Sequence, residues 1–118
     1  MKYLCLIYGN ESQWEKRPKA EMEAVTAEYM ALTASLKESG HFLAGSALKS
    51  TGTASTVRVR EGRLSATDGP FAETKEQLGG YYLIEAVDLN DAIQVAARIP
   101  NARFGCIEVR PLAEMPSR

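Results

Sequence analysis

Two segments of the chain are apolar at consecutive positions and rich in strand-forming residues, and they constrain the fold more than any other feature. Residues 2–8 (KYLCLIY) and residues 81–87 (YYLIEAV) carry apolar side chains at both odd and even positions. Because successive side chains of a strand point to opposite faces of a sheet, both strands need cover on both faces. The fold must therefore bury two faces of its central strands with a chain of only 118 residues.

Two amphipathic helices are predicted, one after each of these strands. From Met22 to Leu36 apolar residues recur at steps of three and four, and Gly40 follows at the position of a left-handed C-terminal cap. Asp88 is the expected N-cap of the second helix, with Asp91 completing a capping-box pattern. Its predicted buried stripe consists of Leu89, Ala92, Ile93 and Ala96, and Pro100 ends it.

The remaining strands complete an α+β pattern. Residues 41–48 and 104–110 are predicted strands, and residues 56–60 and 63–67 form a hairpin around Glu61-Gly62, with Arg58, Arg60 and Arg63 on its outer face. Without the hairpin the order is βαββαβ, so we expect one ferredoxin-like domain over residues 1–118 with an inserted β-hairpin. No third helix is available for the far face of the sheet. A second copy packed sheet against sheet would cover it, which predicts a homodimer.

The connecting segments carry weaker predictions. Residues 11–19 are predicted as a polar loop in which Trp14 either covers a cleft or packs on the other protomer. Residues 72–78 are compatible with one helical turn, and the tail from Pro111 is expected to be an extended arm. Cys5 and Cys106 lie in apolar alternating runs, so both are predicted to be buried thiols. Tyr8, Tyr81 and Tyr82 are expected to be core or interface aromatics.

Composition excludes several classes of function. Fourteen Lys and Arg against fifteen Asp and Glu give a formal net charge of −1, without the basic surplus of a dedicated nucleic-acid-binding protein. No apolar run approaches the roughly 18 residues of a membrane span, and no cleavage-site pattern follows the first strand, so a cytoplasmic location is expected. A single histidine and no CxxC motif argue against a metal site, and no glycine-rich phosphate loop indicates a cofactor.

The central string DGPFAETKEQLGGYY, residues 68–82, is the most distinctive motif. Together with the start MKYL…LIYG, the run TVRVR at 56–60, AARIP at 96–100 and EVRP at 108–111, it resembles the DGPF-motif proteins of the YCII-related family. The resemblance covers essentially the whole chain. It implies a dimeric α+β barrel of ferredoxin-like protomers, and for the DGPF branch a link with extracytoplasmic-function sigma factors.

Some relatives are suspected enzymes because a His–Asp pair lies in a cleft at the sheet. This chain departs from that pattern, since its first long helix has no histidine and its single histidine, His41, follows that helix. The resemblance therefore does not carry the pair over to this chain. His41 is a candidate proton shuttle because histidine is the side chain that ordinarily changes charge near neutral pH, and the alternative is a surface or interface histidine.

The loop that carries the motif has two interpretations. Asp68-Gly69-Pro70 is typical of a turn in which glycine allows the bend and proline fixes φ. The following Phe71, Glu73 and Lys75 could instead line the mouth of a cleft, with Asp68 as a candidate catalytic carboxylate.

Glu85 interrupts an apolar strand, and Glu108 does the same in the last strand. The two strands flank the first strand, so the carboxylates could face one cavity, with Arg58, Arg60 or Arg110 as partners. The alternative is salt bridges at strand ends or at the rim of the dimer.

Three functions from different classes follow. The first is binding of a small molecule in a cleft beside the loop at residues 68–80, including a lyase- or isomerase-like reaction that needs no cofactor. The second is an accessory regulatory protein that contacts a sigma factor or another protein through its surface. The third is a structural domain in which the motif only locks the dimer. The fold alone cannot separate them, because one fold hosts many activities.

Overall fold

The computed structural model describes residues 1–114, which form a four-stranded sheet, a separate two-stranded sheet and three α-helices. The helices are α1 (Glu11–Glu15), α2 (Lys19–Glu38) and α3 (Leu89–Ala97). The strands are β1 (Lys2–Gly9), β2 (Phe42–Ala47), β3 (Ser55–Arg60), β4 (Arg63–Asp68), β5 (Gln77–Glu85) and β6 (Cys106–Pro111).

The large sheet is antiparallel with the strand order β2-β5-β1-β6. This order places the first and third strands of the βαββαβ plan in the centre, as a ferredoxin-like fold requires. The two segments that are apolar at both parities are therefore the two central strands. The predicted fold class is confirmed, including the inserted hairpin of β3 and β4.

The core lies between one face of the sheet and the two longer helices. Cys5 and Ile84 from the central strands are fully buried, and they meet Leu36 of α2 and Ala92 of α3 in one apolar cluster. Gly40 has a φ of +81° just after α2, as the predicted helix end requires. Asp88 accepts a hydrogen bond from the backbone N–H of Asp91, which confirms the predicted cap.

The opposite face of the sheet has no helix over it within residues 1–114. Alternate side chains of β1 and β5 point to this side and pair in register, Leu4 with Leu83 and Leu6 with Tyr81. All four are half-buried by their neighbours in the sheet. We call this surface the open face.

The hairpin of β3 and β4 extends away from the sheet as an arm. Its tight turn uses positive φ at both Glu61 and Gly62, the geometry that matches the twist of the flanking strands. Val57 pairs with Ala66 and Val59 with Leu64, so these side chains share one face of the arm, and all four are exposed. The three arginines lie on the other face, as predicted.

Two connecting segments differ from the sequence prediction. Residues 11–15 form helix α1 instead of a loop, because Asn10 accepts a hydrogen bond from the backbone N–H of Gln13 and caps the turn. Residues 72–76 contain no helical turn, and Gln77 already pairs with Gly9 of β1. Strand pairing therefore begins where the helical turn was expected.

The buried stripe of α3 is also shifted from its prediction. Ala92, Val95 and Ala96 are buried, whereas Leu89 and Ile93 remain about half exposed. The helix is short and lies over β6 at the edge of the sheet, so only one narrow stripe meets the core. Of the predicted tail, Pro111 ends β6, residues 112–114 have no regular structure, and residues 115–118 lie outside the described part.

Candidate functional site

A cleft of about 680 Å³ lies between the N-terminal half of α2 and the end of the sheet where β1 leaves and β5 enters. One stripe of α2 forms its wall, with Met22, Thr26, Tyr29 and Thr33 at steps of three and four. Gly45 of β2 belongs to the opposite wall, where a Cβ atom would lie only 2.9 Å from the Tyr82 ring. Glycine at this position therefore lets the ring pack directly against the strand.

The inner end of the cleft carries two hydrogen-bonded pairs of uncharged groups. The hydroxyl of Tyr29 donates to Asn101 Oδ1 at 2.9 Å, and the hydroxyls of Thr33 and Tyr82 are 2.8 Å apart. The rings of Tyr29 and Tyr82 are stacked with their centroids 6.4 Å apart. The two pairs are thus neighbours that share one aromatic surface.

On one side, the mouth of the cleft is lined by a cationic side chain that packs against two aromatic rings. The guanidinium of Arg17 lies 4.1 Å from the centroid of the Phe104 ring and 5.4 Å from that of Trp14. It also forms an ion pair with Glu21 at 3.0 Å. Trp14 therefore lines the cleft, which is one of the two positions that the sequence allowed for it.

Helix α1 is anchored at the mouth by its first residue. The Glu11 carboxylate accepts hydrogen bonds from the backbone N–H and the hydroxyl of Thr51, both at 2.8 Å. The backbone N–H of Glu11 donates to Gln77 Oε1 at 3.0 Å. These contacts fix α1 to the two segments that flank the arm.

The tyrosine in the cleft wall carries no charge. An ordinary tyrosine is already neutral near pH 7, and burial raises the pKa of Tyr29 to about 12, which extends this neutrality to alkaline pH. A neutral tyrosine hydroxyl can donate one hydrogen bond and accept others. The inner cleft can therefore orient a polar group of a ligand without placing a charge beside it.

The structure places the predicted loop residues outside this cleft. Asp68 ends β4 and is exposed, and Phe71 has 80% of its surface accessible. Glu73 and Lys75 are exposed as well. Only the C-terminal end of the loop, Gln77 together with Gly79 and Gly80, reaches the cleft wall.

The two strand glutamates do not face one cavity. Glu85 pairs with Lys2 in register and forms an ion pair with the N-terminal amine at 3.1 Å. Glu108 lies opposite Leu6, four residues further along β1, and its carboxylate is 3.6 Å from Arg110. The strand-end salt bridges that were the alternative interpretation are what the structure contains, because antiparallel register separates the two positions.

His41 connects α2 and β2 to the start of α3. Its Nε2 lies 3.1 Å from both carboxylate oxygens of Asp91, and its Nδ1 is 2.7 Å from the hydroxyl of Ser39. Asp91 also accepts the backbone N–H of Val87, and this bond together with His41 lowers the pKa of its carboxyl. Both ring nitrogens have protein partners, and His41 does not line the cleft.

The two cysteines differ from each other. Cys5 is buried in the core, and burial raises the pKa of its thiol to about 11. Cys106 is exposed on the edge strand β6, contrary to the prediction, because its side chain points to the open face. Burial at this site and the nearby Glu76 carboxylate raise the pKa of Cys106 as well. Neither thiol is activated as a nucleophile.

Residues 1–114 contain no cluster of three or more acidic, histidine or cysteine side chains arranged to hold a metal ion. None of the helices in this part of the chain combines the length and the apolar character of a membrane span.

Sequence reasoning missed Thr33 and Asn101 and treated Tyr82 as a core aromatic. Tyr29 and Thr33 were visible as polar-ended residues on or beside the apolar stripe of α2, one helical turn apart. Asn101 follows Pro100 in a short 3₁₀ turn, and no pattern in the sequence connects it to α2.

Comparison with known proteins places the chain in a family. The model of the YCII-related domain matches residues 1–116. An uncharacterized protein of Rhizobium meliloti (strain 1021) is 40% identical over 124 aligned residues, which cover 99% of this chain and 100% of that protein. The chain is therefore a member of the YCII-related domain family.

Proposed function

We propose that this protein binds a small molecule in the cleft between α2 and the sheet. The observation that supports it is the combination of volume and lining. A cleft of about 680 Å³ with a mainly apolar wall and a few convergent polar groups is typical of a small-molecule site. Tyr29, Thr33, Tyr82 and Asn101 supply those polar groups at its inner end.

The lining favours binding and orientation over acid–base catalysis. Among the described lining residues the carboxylates are Glu11 and Glu15, both on α1 at the mouth. Glu11 is occupied by Thr51. A lyase- or isomerase-like reaction would need a base within hydrogen-bond reach of the substrate, and Glu15 is the residue whose carboxylate would have to supply it.

A cleft-filling substitution tests the proposal. Ala47 lines the cleft and is exposed on β2, where an aromatic side chain is compatible with strand structure. A thermal-shift screen against a metabolite library should give compounds that raise the melting temperature, and a compound present at 100 times its Kd stabilises by about 2.7 kcal/mol. Ala47→Phe should abolish these shifts, whereas Ala31→Phe on the exposed side of α2 should retain them. Compounds that stabilise Ala47→Phe as strongly as the wild type would contradict the proposal.

We also propose that two copies pack through the open face, because that face is apolar at its centre and lacks cover within residues 1–114. Leu6→Arg would bury a guanidinium in that interface, where the cost of desolvation disfavours it even with Glu108 opposite on the neighbouring strand. The wild type should sediment at twice the 12.9 kDa of one chain, and Leu6→Arg should sediment as a monomer. Met30→Arg, on a side chain of α2 that is 70% exposed, is the matched control. A monomeric wild type at micromolar concentration would refute the dimer.

A regulatory function, including contact with an extracytoplasmic-function sigma factor in the cytoplasm, is the second candidate. The observation that favours it is the arm, whose apolar face is exposed and lies outside both the cleft and the open face. Exposed apolar surface of this kind marks sites of protein interaction.

A further inference from the structure

We propose that the ligand of the cleft is an uncharged, ring-sized molecule that carries a hydroxyl or carbonyl group, and that Thr33 and Tyr82 select it. This inference rests on the proposed function, since it names the class of molecule for the same site. It depends on which hydrogen-bonding positions the inner cleft leaves open and on where its charges lie.

The inner cleft offers donors and acceptors that the protein does not use up. The hydroxyls of Thr33 and Tyr82 share a single hydrogen bond, so one of them donates and the hydrogen of the other is free for a ligand. Among the described residues neither hydroxyl has a further partner. Tyr29 donates to Asn101, and its oxygen can still accept a hydrogen bond.

The charges of the lining are at the mouth of the cleft. Arg17 is paired with Glu21 and stacked against Phe104, Glu11 is bound by Thr51, and Glu15 is exposed to solvent. No lysine or further arginine lines the described cleft. Burying an anionic or cationic ligand group without a partner is costly, so the inner end disfavours both.

The walls indicate a flat apolar body for the ligand. Aromatic side chains surround the cleft on several sides, and Met22 and Val25 add aliphatic surface. Aromatic rings pack favourably against one another in offset or edge-to-face geometry. The aromatic side chains on the cleft side of the sheet are those of Trp14, Tyr29, Phe42, Tyr82 and Phe104.

Four matched naphthalene derivatives test the inference by calorimetric titration at neutral pH. They are 2-naphthol, 2-naphthoate, 2-(aminomethyl)naphthalene and 2-methylnaphthalene, which share one ring system and differ in charge and hydrogen bonding. We expect 2-naphthol to bind most tightly, with a Kd about tenfold lower than that of the apolar 2-methylnaphthalene, since one hydrogen bond contributes about that factor. The carboxylate and the ammonium compound should bind still more weakly.

The variants separate selection from general packing. Thr33→Val keeps the shape of the side chain and removes its hydroxyl, and Tyr82→Phe does the same for the second partner. Each should weaken 2-naphthol by about three- to tenfold and leave 2-methylnaphthalene unchanged. Each variant removes one hydroxyl of the same hydrogen-bonded pair. If one of the two fails to fold, the other therefore still tests the role of the pair.

Two results would overturn the inference. If 2-naphthoate or the ammonium compound binds as tightly as 2-naphthol, the cleft does not select uncharged molecules. If Thr33→Val and Tyr82→Phe weaken all four compounds equally, the hydroxyl pair is a packing element only. In both cases loss of binding in Ala47→Phe would still support the cleft as the site, so the failure of this inference is distinguishable from failure of the proposed function.

Discussion

The single histidine of the chain shows how one side chain can connect three elements. His41 follows α2, begins the approach to β2 and reaches Asp91 in the first turn of α3. The Asp91 carboxylate also accepts the N–H of Val87, near the end of β5. These contacts connect the three elements, and because they favour the charged form of Asp91 they lead us to expect that the stability of the fold depends on pH.

The lowered pKa of Asp91 predicts how that stability changes in acid. Its pKa lies below the ordinary value of 3.8, because the N–H of Val87 and the ring of His41 favour the charged carboxylate. A carboxyl whose pKa is lower in the folded state stabilises the fold above its unfolded pKa and loses that contribution as pH falls through the folded pKa. Asp91→Asn should therefore be less stable than the wild type at pH 7, and the difference should shrink below about pH 4.

Urea unfolding of both proteins between pH 7 and pH 3 measures this difference. Glu23→Gln, a change of an exposed carboxyl on α2, is the control and should show no comparable trend. A difference between Asp91→Asn and the wild type that stays constant down to pH 3 would mean that the charge of Asp91 does not contribute.

At the scale of the elements, hydrophobic periodicity predicted the sheet and both long helices. The reason is physical, because β1, β5 and α2 each bury apolar side chains. Burial in the sheet gives β1 and β5 continuous apolar runs, and burial of one helix face gives α2 apolar residues at steps of three and four. Helix α1 was missed because it buries no residue. Its formation depends on the Asn10 cap and on contacts of Glu11 with Thr51, forty residues away.

The candidate site was predicted less well than the fold. Asp68 and Phe71 belong to the most distinctive motif of the sequence, and both are exposed at the end of β4 and in the loop that follows it. The inner cleft is built from α2, β5 and the turn that contains Asn101, and only the tertiary fold brings these together. The spacing of Tyr29 and Thr33 predicts that both lie on one side of a helix. It does not predict that Tyr82 or Asn101 lies beside them.

The arm is predicted to be independent of the core. The backbone N–H of Gly69 donates to the carbonyl of Ala54 at 2.7 Å, so residues 55–68 can be replaced by an Asn-Gly turn between two adjacent chain ends. No residue of the arm belongs to the buried cluster. The shortened protein should keep its cooperative unfolding and stay within about 1 kcal/mol of the wild type, as changes away from the core usually do.

Chemical denaturation measures this, with Leu36→Ala as the contrasting variant. Leu36 is fully buried, and its truncation should cost about 2–5 kcal/mol. Loss of cooperative unfolding on removal of the arm would show that the arm is part of the folding unit. The same shortened protein, mixed with a sigma factor that co-purifies with the wild type, should fail to bind it if the arm is the regulatory surface.

At the scale of the whole molecule, the protein is flatter and more extended than a compact domain of the same length. The radius of gyration is 16.4 Å, and the thinnest dimension is 19 Å beside two of 49 and 47 Å. A compact chain of this length would have a radius of gyration of about 13.5 Å. The excess comes from a single helix layer on a single sheet, together with the projecting arm. Within residues 1–114 no helix covers the open face, and pairing with a second copy would cover it.

The cleft is the feature of the whole molecule on which the functional account depends. It is formed by α1, α2, three strands of the sheet and the turn at residues 100–102. The loop at residues 68–75 lies outside it. A compound bound in the cleft must therefore shift the amide signals of the cleft residues and leave those of residues 68–75 unchanged. Nuclear magnetic resonance observes both sets of signals at once.

The most direct test is a ¹H–¹⁵N spectrum of the protein titrated with the compound that gives the largest shift in the thermal-shift screen. The single tryptophan of the chain, Trp14, lines the cleft and supplies an indole signal of its own. We expect saturable shifts at Trp14, Gly45 and Gly80 in the wild type and none at these residues in Ala47→Phe. Shifts confined to residues 68–75, or no saturable shift in any residue, would contradict the claim that this cleft is a small-molecule site.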